Sequence, residues 1–356
     1  MIRIDMLRTL MKENEIDAIL IKNDNNRFYI TGFPSSAGAV LITENQNQLF
    51  IDSRYIEAAE KSLPNFKVKL TGGQTTEKTL IQSEVRKLKI KTLGFEDDLT
   101  SLTSFLQLRK SIPAELKPAG ALLRHLRRSK DISEIQAIKH AVKISETAFA
   151  ETLPMIKPGI TERDIAARLT YLQLKHGAET MSFDPIVASG ENSSMPHAAV
   201  SDRIITPGDF ITMDFGCKKD GYCSDMTRTV AVSYVTPEMA KVYDTVLKAQ
   251  LAGIAAAKAC VTGKEIDAAG RSIIEKAGYG EYFGHSFGHG IGIDVHEAPN
   301  ASPAEDTELP EGAVISAEPG IYIPGRFGVR IEDLLWLKEN CSENLNSAAK
   351  SLIILH

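Results

Sequence analysis

The chain has 356 residues, with 41 Lys plus Arg against 46 Asp plus Glu and a formal net charge of -5. At roughly 150 residues per domain this length gives about two domains. Its 43% hydrophobic and 24% charged residues exclude a disordered chain, a collagen-like repeat and a disulfide scaffold. The mildly acidic balance speaks against a nucleic-acid binder, which carries a basic surplus. No apolar run approaches the ~18–20 residues that span a bilayer, so no membrane partner is expected. The four cysteines, Cys217, Cys223, Cys260 and Cys341, form no C-x-x-C pair of the kind that holds structural zinc. The opening stretch MIRIDMLRTLMKENEID lacks the apolar core and small-residue cleavage site of a signal peptide. A reduced, cytoplasmic location is the expectation.

Helix and strand signals alternate over the first ~120 residues. Met6 to Glu15 has the apolar spacing of a helix, and short apolar runs at Asp17–Ile21, Gly38–Thr43 and Gln48–Asp52 read as strands. Arg54–Leu63 and Thr76–Leu88 read as helices and Thr92–Glu96 as a further strand, which makes an α/β unit. Pro113 and Pro118 mark the expected connection to a second domain, with residues 1–121 in the first and 122–356 in the second. Ser133 to Thr152 then has a long helical pattern, broken at Pro158-Gly159, and Thr161 three residues before Asp164 is a capping signature for the next helix. Strand-rich blocks at Phe183–Val235 and Val314–Leu337 flank a helical stretch, Pro237–Gly278. Helices packed on an antiparallel sheet fit this order.

Some polar residues in the second domain stand where a surface does not explain them. Gly208–Gly216 and Tyr222–Val230 read as two strands around a turn signalled by Asp220-Gly221. A two-residue loop makes Asp214 face Thr227, with Asp225 on the same face; a four-residue loop sets Asp214 opposite Asp225; a three-residue loop puts them on opposite faces. Two acids together in an apolar, β-branched hairpin are destabilising, and a bound cation removes the conflict. Two acids in a hairpin are more commonly exposed or capping a turn, but the rest of the chain changes the balance. Gly284-His-Ser-Phe-Gly-His-Gly-Ile-Gly292 carries two histidines among four glycines, and His296 follows in Asp294-Val-His-Glu297. Ser316–Gly320 and Gly328–Asp333 then set Glu318 and Glu332 in apolar, strand-like surroundings. Asp214, Asp225, His289, Glu318 and Glu332 make an oxygen-rich donor set suited to Mn2+, Co2+, Fe2+ or Zn2+. Five donors with carboxylates able to bridge are more than one ion needs and enough for two, which ~3.5–4 Å apart can hold a hydroxide between them.

The order Asp, a second Asp eleven positions on, then His, Glu and Glu resembles the metallopeptidases of the methionine aminopeptidase, aminopeptidase P and prolidase superfamily, family M24. The motifs MDFG, SDMTRT, GHGIGIDVHE, EPGIYIP and GVRIED carry the resemblance over most of residues ~130–356. The implied fold class is α/β (α+β), a creatinase-like N-terminal α/β domain before a pita-bread catalytic domain. Asn23–Phe33, NDNNRFYITGF, and Ile51–Tyr55, IDSRY, look like that N-terminal domain, which methionine aminopeptidases lack. Creatinase uses the same fold without the metal ligands; all five residues stand here, which argues against creatine hydrolysis and disfavours a non-catalytic binding protein of the same fold, the alternative of a different class.

The resemblance implies a proline-specific exopeptidase with two divalent ions, manganese foremost. Asp225 and Glu332 would bridge the ions, Asp214 would complete one, and His289 with Glu318 the other. A bridging hydroxide would attack the Xaa-Pro carbonyl, and Glu318 would shuttle its proton. His197 and His296 would contact the substrate and steady the tetrahedral intermediate, and His285 would line the proline pocket. Arg330, two residues before Glu332, would orient ligand carboxylates, with Tyr322 a further candidate beside it and ordinary structural hydrogen bonding the alternative for both. The implied substrates are small peptides with proline second, and the implied assembly is a homodimer. A dipeptidase must also recognise the free carboxylate of proline. Some prolidases place an arginine just after the HE-x-P segment, whereas His296-Glu-Ala-Pro-Asn300 has none, and the next Lys or Arg is Arg326. Xaa-Pro dipeptidase is the leading expectation, and aminopeptidase P acting on longer peptides the alternative.

Overall fold

The computed structural model describes residues 2–356. The chain divides into two compact units, Met1–Arg127 and Arg128–His356. Among the described residues no helix is long and apolar enough to cross a membrane.

The first unit is built on a mixed six-stranded sheet. Its strands are β1 (Ala18–Ile21), β2 (Ala39–Thr43), β3 (Asn47–Asp52), β4 (Lys67–Thr71), β5 (Thr92–Phe95) and β6 (Glu115–Pro118), in the order β4-β3-β2-β1-β5-β6. The run AILI of β1 is buried throughout because this strand lies inside the sheet with both faces covered. Helices α1 (Ile2–Glu13), α2 (Asp24–Thr31), α3 (Ile56–Ser62), α4 (Glu77–Lys87), α5 (Leu102–Ser111) and α6 (Gly120–Arg127) complete the unit. The Pro113–Pro118 stretch, expected as a connection, instead contains β6. This strand pairs with β5 in parallel at the sheet edge, and Pro118 is its last residue, where a missing N–H is tolerated. Helix α6 runs past residue 121 and belongs whole to the first unit.

Residues that carried the likeness of the first domain form structural polar networks. The Asn23 side chain caps α2 by accepting the Asn26 N–H. Asn26 donates to the Glu96 carboxylate at 2.8 Å, and buried Arg27 donates to Asp24 at 2.9 Å and to the Ser35 carbonyl at 2.7 Å.

The second unit begins with α7 (Ile132–Thr152), closed by an Asp131–Glu134 capping box, and α8 (Glu162–Lys175), closed by the Thr161–Asp164 box the spacing predicts. Strands β7 (Thr180–Met181), β8 (Ile186–Ser189), β9 (Phe210–Phe215), β10 (Cys217–Lys219), β11 (Tyr222–Cys223) and β12 (Met226–Val232) follow. The helical stretch resolves into α9 (Pro237–Ala256) and α10 (Gly263–Lys276), with Thr262 capping the second. The chain ends in β13 (Gly288–Gly290), β14 (Glu297–Ala301), β15 (Val314–Ala317), β16 (Gly320–Ile323), β17 (Phe327–Arg330), β18 (Asp333–Leu337), β19 (Ser342–Asn344) and β20 (Ile354–Leu355). Two sheets dominate, β20-β12-β9-β8 and β14-β13-β15-β18-β19, alongside the β16–β17 hairpin and the small sheet β11-β10-β7. Pairing is antiparallel except between β12 and β20. Helix α9 packs Met239, Val242, Tyr243 and Val246 onto apolar residues of β16 and β17, and the α8 residues Ile165 and Leu169 join Met213 and Val230 of the first sheet. This is the pita-bread architecture.

The Asp220-Gly221 hairpin adopts the two-residue register. Lys219 pairs with Tyr222, and Asp214 with Thr227. Asp220 and Gly221 both have positive φ, 51° and 77°, as a turn matching the strand twist requires.

Candidate metal centre

Five candidate donors arrive on five separate pieces of chain within the second unit. Asp214 sits on β9 and Asp225 in the short break before β12; His289 is the middle residue of β13; Glu318 follows β15, and Glu332 lies between β17 and β18. All five line one cavity of about 540 Å3. The nearest ligand atoms of Asp225, His289 and Glu332 lie within 4.8 Å of one another. His289 Nε2 is 3.2 Å from Glu318 Oε1 and 3.7 Å from Asp225 Oδ2. The His289 Nδ1 lies 3.1 Å from the Gly290 carbonyl, so it carries a proton and Nε2 is the nitrogen turned to the acids.

Asp214, Asp225 and Glu332 are buried. One oxygen of each, Asp214 Oδ1, Asp225 Oδ1 and Glu332 Oε1, has no hydrogen-bond partner. Burial and then the neighbouring carboxylates push Asp225 and Glu332 well above the usual carboxylate range. Burial opposes the charge of Glu318 too, but the His289 hydrogen bond and charge outweigh it and hold Glu318 at about 2. Burial likewise opposes an imidazolium at His289, and Glu318 overrides it and lifts His289 to about 9. Buried carboxylate oxygens without partners, on residues that share a cavity with an imidazole, are the donors a divalent ion takes, and a metal bound there displaces protons. The residues fit a metal.

A second layer fixes the carboxylates. Arg330, at the end of β17, donates to Asp214 Oδ2 at 2.6 Å, to Thr227 Oγ1 at 3.0 Å and to the Tyr322 hydroxyl at 2.8 Å. Thr227 Oγ1 in turn donates to Glu332 Oε2 at 2.7 Å, so one hydroxyl links a cation and a candidate ligand. Burial works against the guanidinium, yet Tyr322, Asp214 and Glu318 hold its pKa well above the ordinary arginine value. Ser316 Oγ accepts the His289 N–H at 2.9 Å and donates to Glu318 Oε1 at 3.1 Å. From behind, Arg228 donates to the Glu332 carbonyl at 2.6 Å and to buried Asp333 at 2.8 Å. The sequence reading missed Thr227, Ser316 and Arg228 as parts of the site; only Thr227 left a signal, its place opposite Asp214 in the hairpin.

Of the remaining predicted residues, His197, His285 and His296 line the same cavity. His285 has both nitrogens engaged: Nδ1 donates to the Ser286 carbonyl at 2.8 Å, and Nε2 accepts from the Tyr322 hydroxyl at 2.9 Å. Burial lowers the His285 pKa and raises that of Tyr322 to about 12, so both stay neutral. His285 therefore offers the cavity a ring face. His197 and His296 are exposed at the cavity, and the His296 ring lies 4.3 Å from that of His289. Burial, then the charge of His289, lowers the His296 pKa. Tyr322 reaches the site through Arg330 and His285 and is not among the cavity-lining residues. Arg326 does not line the cavity either; its guanidinium pairs with Glu238, 2.8 Å away at one nitrogen. Among the described residues lining the cavity, Arg330 is the only Lys or Arg.

Residues 136–339 match the model of metallopeptidase family M24, and residues 3–129 that of the creatinase/prolidase N-terminal domain. The chain belongs to metallopeptidase family M24. Its structure is similar to an Xaa-Pro dipeptidase from Bacillus anthracis, with a TM-score of 0.96 and 42% identity over 99% of each chain. It is also similar to an X-Pro aminopeptidase from Thermotoga maritima, with a TM-score of 0.91 and 41% identity over 96% of this chain and 98% of the other. An Xaa-Pro dipeptidase of Pyrococcus horikoshii is 38% identical over 96% of both chains. This M24 chain is therefore a metallopeptidase, and its centre takes divalent metal ions.

Proposed function

We propose that the protein is an Xaa-Pro dipeptidase, a prolidase, that uses two divalent ions to hydrolyse the bond before proline. The observation that carries this reading is the set of three buried carboxylate oxygens without partners, on residues that line one cavity with His289 in an M24 centre. Asp214, Asp225, His289, Glu318 and Glu332 would hold the ions, since all five line the one cavity. Manganese is the ion proposed, on donors that also accept Co2+, Zn2+ or Fe2+. When bound, such a pair lowers the pKa of water and polarises the scissile carbonyl.

The protein's own groups do the rest. Glu318, anchored by Ser316 and His289, takes a proton from the attacking water and delivers it to the proline nitrogen as the C–N bond breaks. The products are a free amino acid and proline. His197 and His296 donate hydrogen bonds to the oxyanion that develops on the carbonyl. His285 presents its ring face to the proline, held by Tyr322. Arg330 keeps Asp214 oriented and ionised. An Xaa-Pro bond is a tertiary amide without an N–H, and none of these roles needs one. The proposal includes a homodimer, from the family resemblance, and a cytoplasmic location, from the sparse and unpatterned cysteines.

One observation favours a second reading, aminopeptidase P. Among the described residues the only Lys or Arg lining the cavity is committed to Asp214, which leaves the proline carboxylate of a dipeptide without a cation from these residues. Turnover of Ala-Pro beside Ala-Pro-Ala in Mn2+, with a chelator control, separates the two. Cleavage of Ala-Pro alone supports the dipeptidase. Cleavage of the tripeptide at Ala-Pro supports the aminopeptidase, and cleavage of neither with metal bound returns the binding-protein reading.

A further inference from the structure

The GHGIGIDVHE segment holds a glutamate, Glu297, that the chemistry above does not use. It follows His296 and is the first residue of β14, paired across the ladder with Gly290. Its Oε1 forms an ion pair with Lys130 Nζ at 2.8 Å, with the two side chains 9% and 1% exposed. Its Oε2 accepts the Asp294 N–H at 3.3 Å, and the Asp294 carbonyl accepts the Gly292 N–H at 3.0 Å. One carboxylate thus closes the loop from Gly292 to Glu297 on itself. A Cβ at position 292 would overlap the Glu297 carboxylate, so glycine stands there because this carboxylate fills the space. Lys130 is itself fixed: its N–H donates to the Gly312 carbonyl at 2.9 Å, and the next residue caps α7.

Burying a Lys–Glu pair is no efficient route to stability, since an apolar pair of similar volume commonly serves as well or better. What this pair gives is a fixed path for the backbone that carries His296 to the cavity, beside His289. We propose that Lys130 and Glu297 are positioning residues for the hydrolytic reaction, holding the Gly292–Glu297 loop so that His296 meets the developing oxyanion. This rests on the role given to His296 above. A loosened loop leaves ground-state binding in place and weakens an interaction made in the transition state, so kcat falls while KM holds.

The experiment uses the Mn2+-loaded full chain with Ala-Pro. The double variant Lys130→Met/Glu297→Leu replaces the ion pair with an apolar pair. It should melt within a few degrees of the parent and retain its metal. Its kcat should fall at least tenfold with KM within threefold. His296→Ala should lose as much, and adding it to the double variant should cost nothing further. A crystal structure of the loaded double variant should show the His296 ring displaced from its place against His289. Parental kcat in the stable double variant, or a loss that multiplies with that of His296→Ala, overturns the proposal. If the double variant does not fold, Glu297→Gln carries the same kcat test, because its amide oxygen still accepts the Asp294 N–H. Unchanged kcat in His296→Ala refutes the role of His296, and the positioning proposal with it; that result is distinct from failure of the cycle alone.

Discussion

Thr227→Val isolates the hydroxyl that joins Arg330 to Glu332. Valine keeps the shape of threonine, so no cavity opens in this fully buried position. Two hydrogen bonds are lost, the donation to Glu332 Oε2 at 2.7 Å and the acceptance from Arg330 Nε at 3.0 Å. A hydrogen bond to an ionisable group is worth about 1.5–3 kcal/mol, and the Arg330 Nε is left unpaired in the interior. Because the two bonds share one oxygen, the net cost to the metal-free protein should be about 2–4 kcal/mol. Glu332 also loses the contact that aims its carboxylate, and losses of this kind weaken metal affinity about 10–100-fold. The assay is thermal melting in chelator together with Mn2+ titration. Thr227→Ser is the control, since it keeps the hydroxyl and should retain near-parental affinity. A Thr227→Val protein that melts like the parent and binds Mn2+ within twofold refutes the reasoning, as does a Thr227→Ser protein that loses as much.

Further expectations follow from the same geometry. Asp225→Asn should lose metal and turnover while making the metal-free protein more heat-stable at pH 8, because one charge leaves a crowded cluster; an active, metal-replete variant refutes the assignment. The metal-free protein should melt at a lower temperature at pH 9 than at pH 6. Asp225 and Glu332 ionise near 4 when unfolded but well above that when folded, and His289 moves from its ordinary 6.5 up to about 9. The native state therefore binds more protons than the unfolded one across this window, and the stability they bring is lost as pH rises. Glu318, held at about 2, adds stability that is lost only on acidification through that value, below the window. Melts in chelator that rise between pH 6 and pH 9 contradict this. Arg326→Ala, which removes a partner of exposed Glu238 outside the cavity, should change kcat/KM for Ala-Pro less than twofold; a tenfold loss makes Arg326 the cation for the proline carboxylate.

The hairpin was legible because Asp220-Gly221 signals a turn; its loop length stayed open in the sequence, and the two-residue register of the fold carries Asp214 and Asp225 to the same side. His289, Glu318 and Glu332 stood out as polar residues in glycine-rich or apolar runs. Less legible were contacts between residues far apart in the chain. Thr227 reaches Glu332 across 105 positions, and Lys130 meets Glu297 from just before a helix with no local pattern to announce either meeting. Pro118 misled for a definite reason. Proline marks connections, but at the end of an edge strand its missing N–H costs no ladder bond. Arg326 was the nearest cation in sequence, yet the fold gives it to Glu238.

The most direct test of the account is turnover of Ala-Pro by metal-free protein as Mn2+ is added in measured equivalents, with bound metal counted in the same samples. The account predicts no hydrolysis without metal and a rate that saturates at two ions per chain. Full hydrolysis by the metal-free protein, or saturation at a single ion, contradicts it.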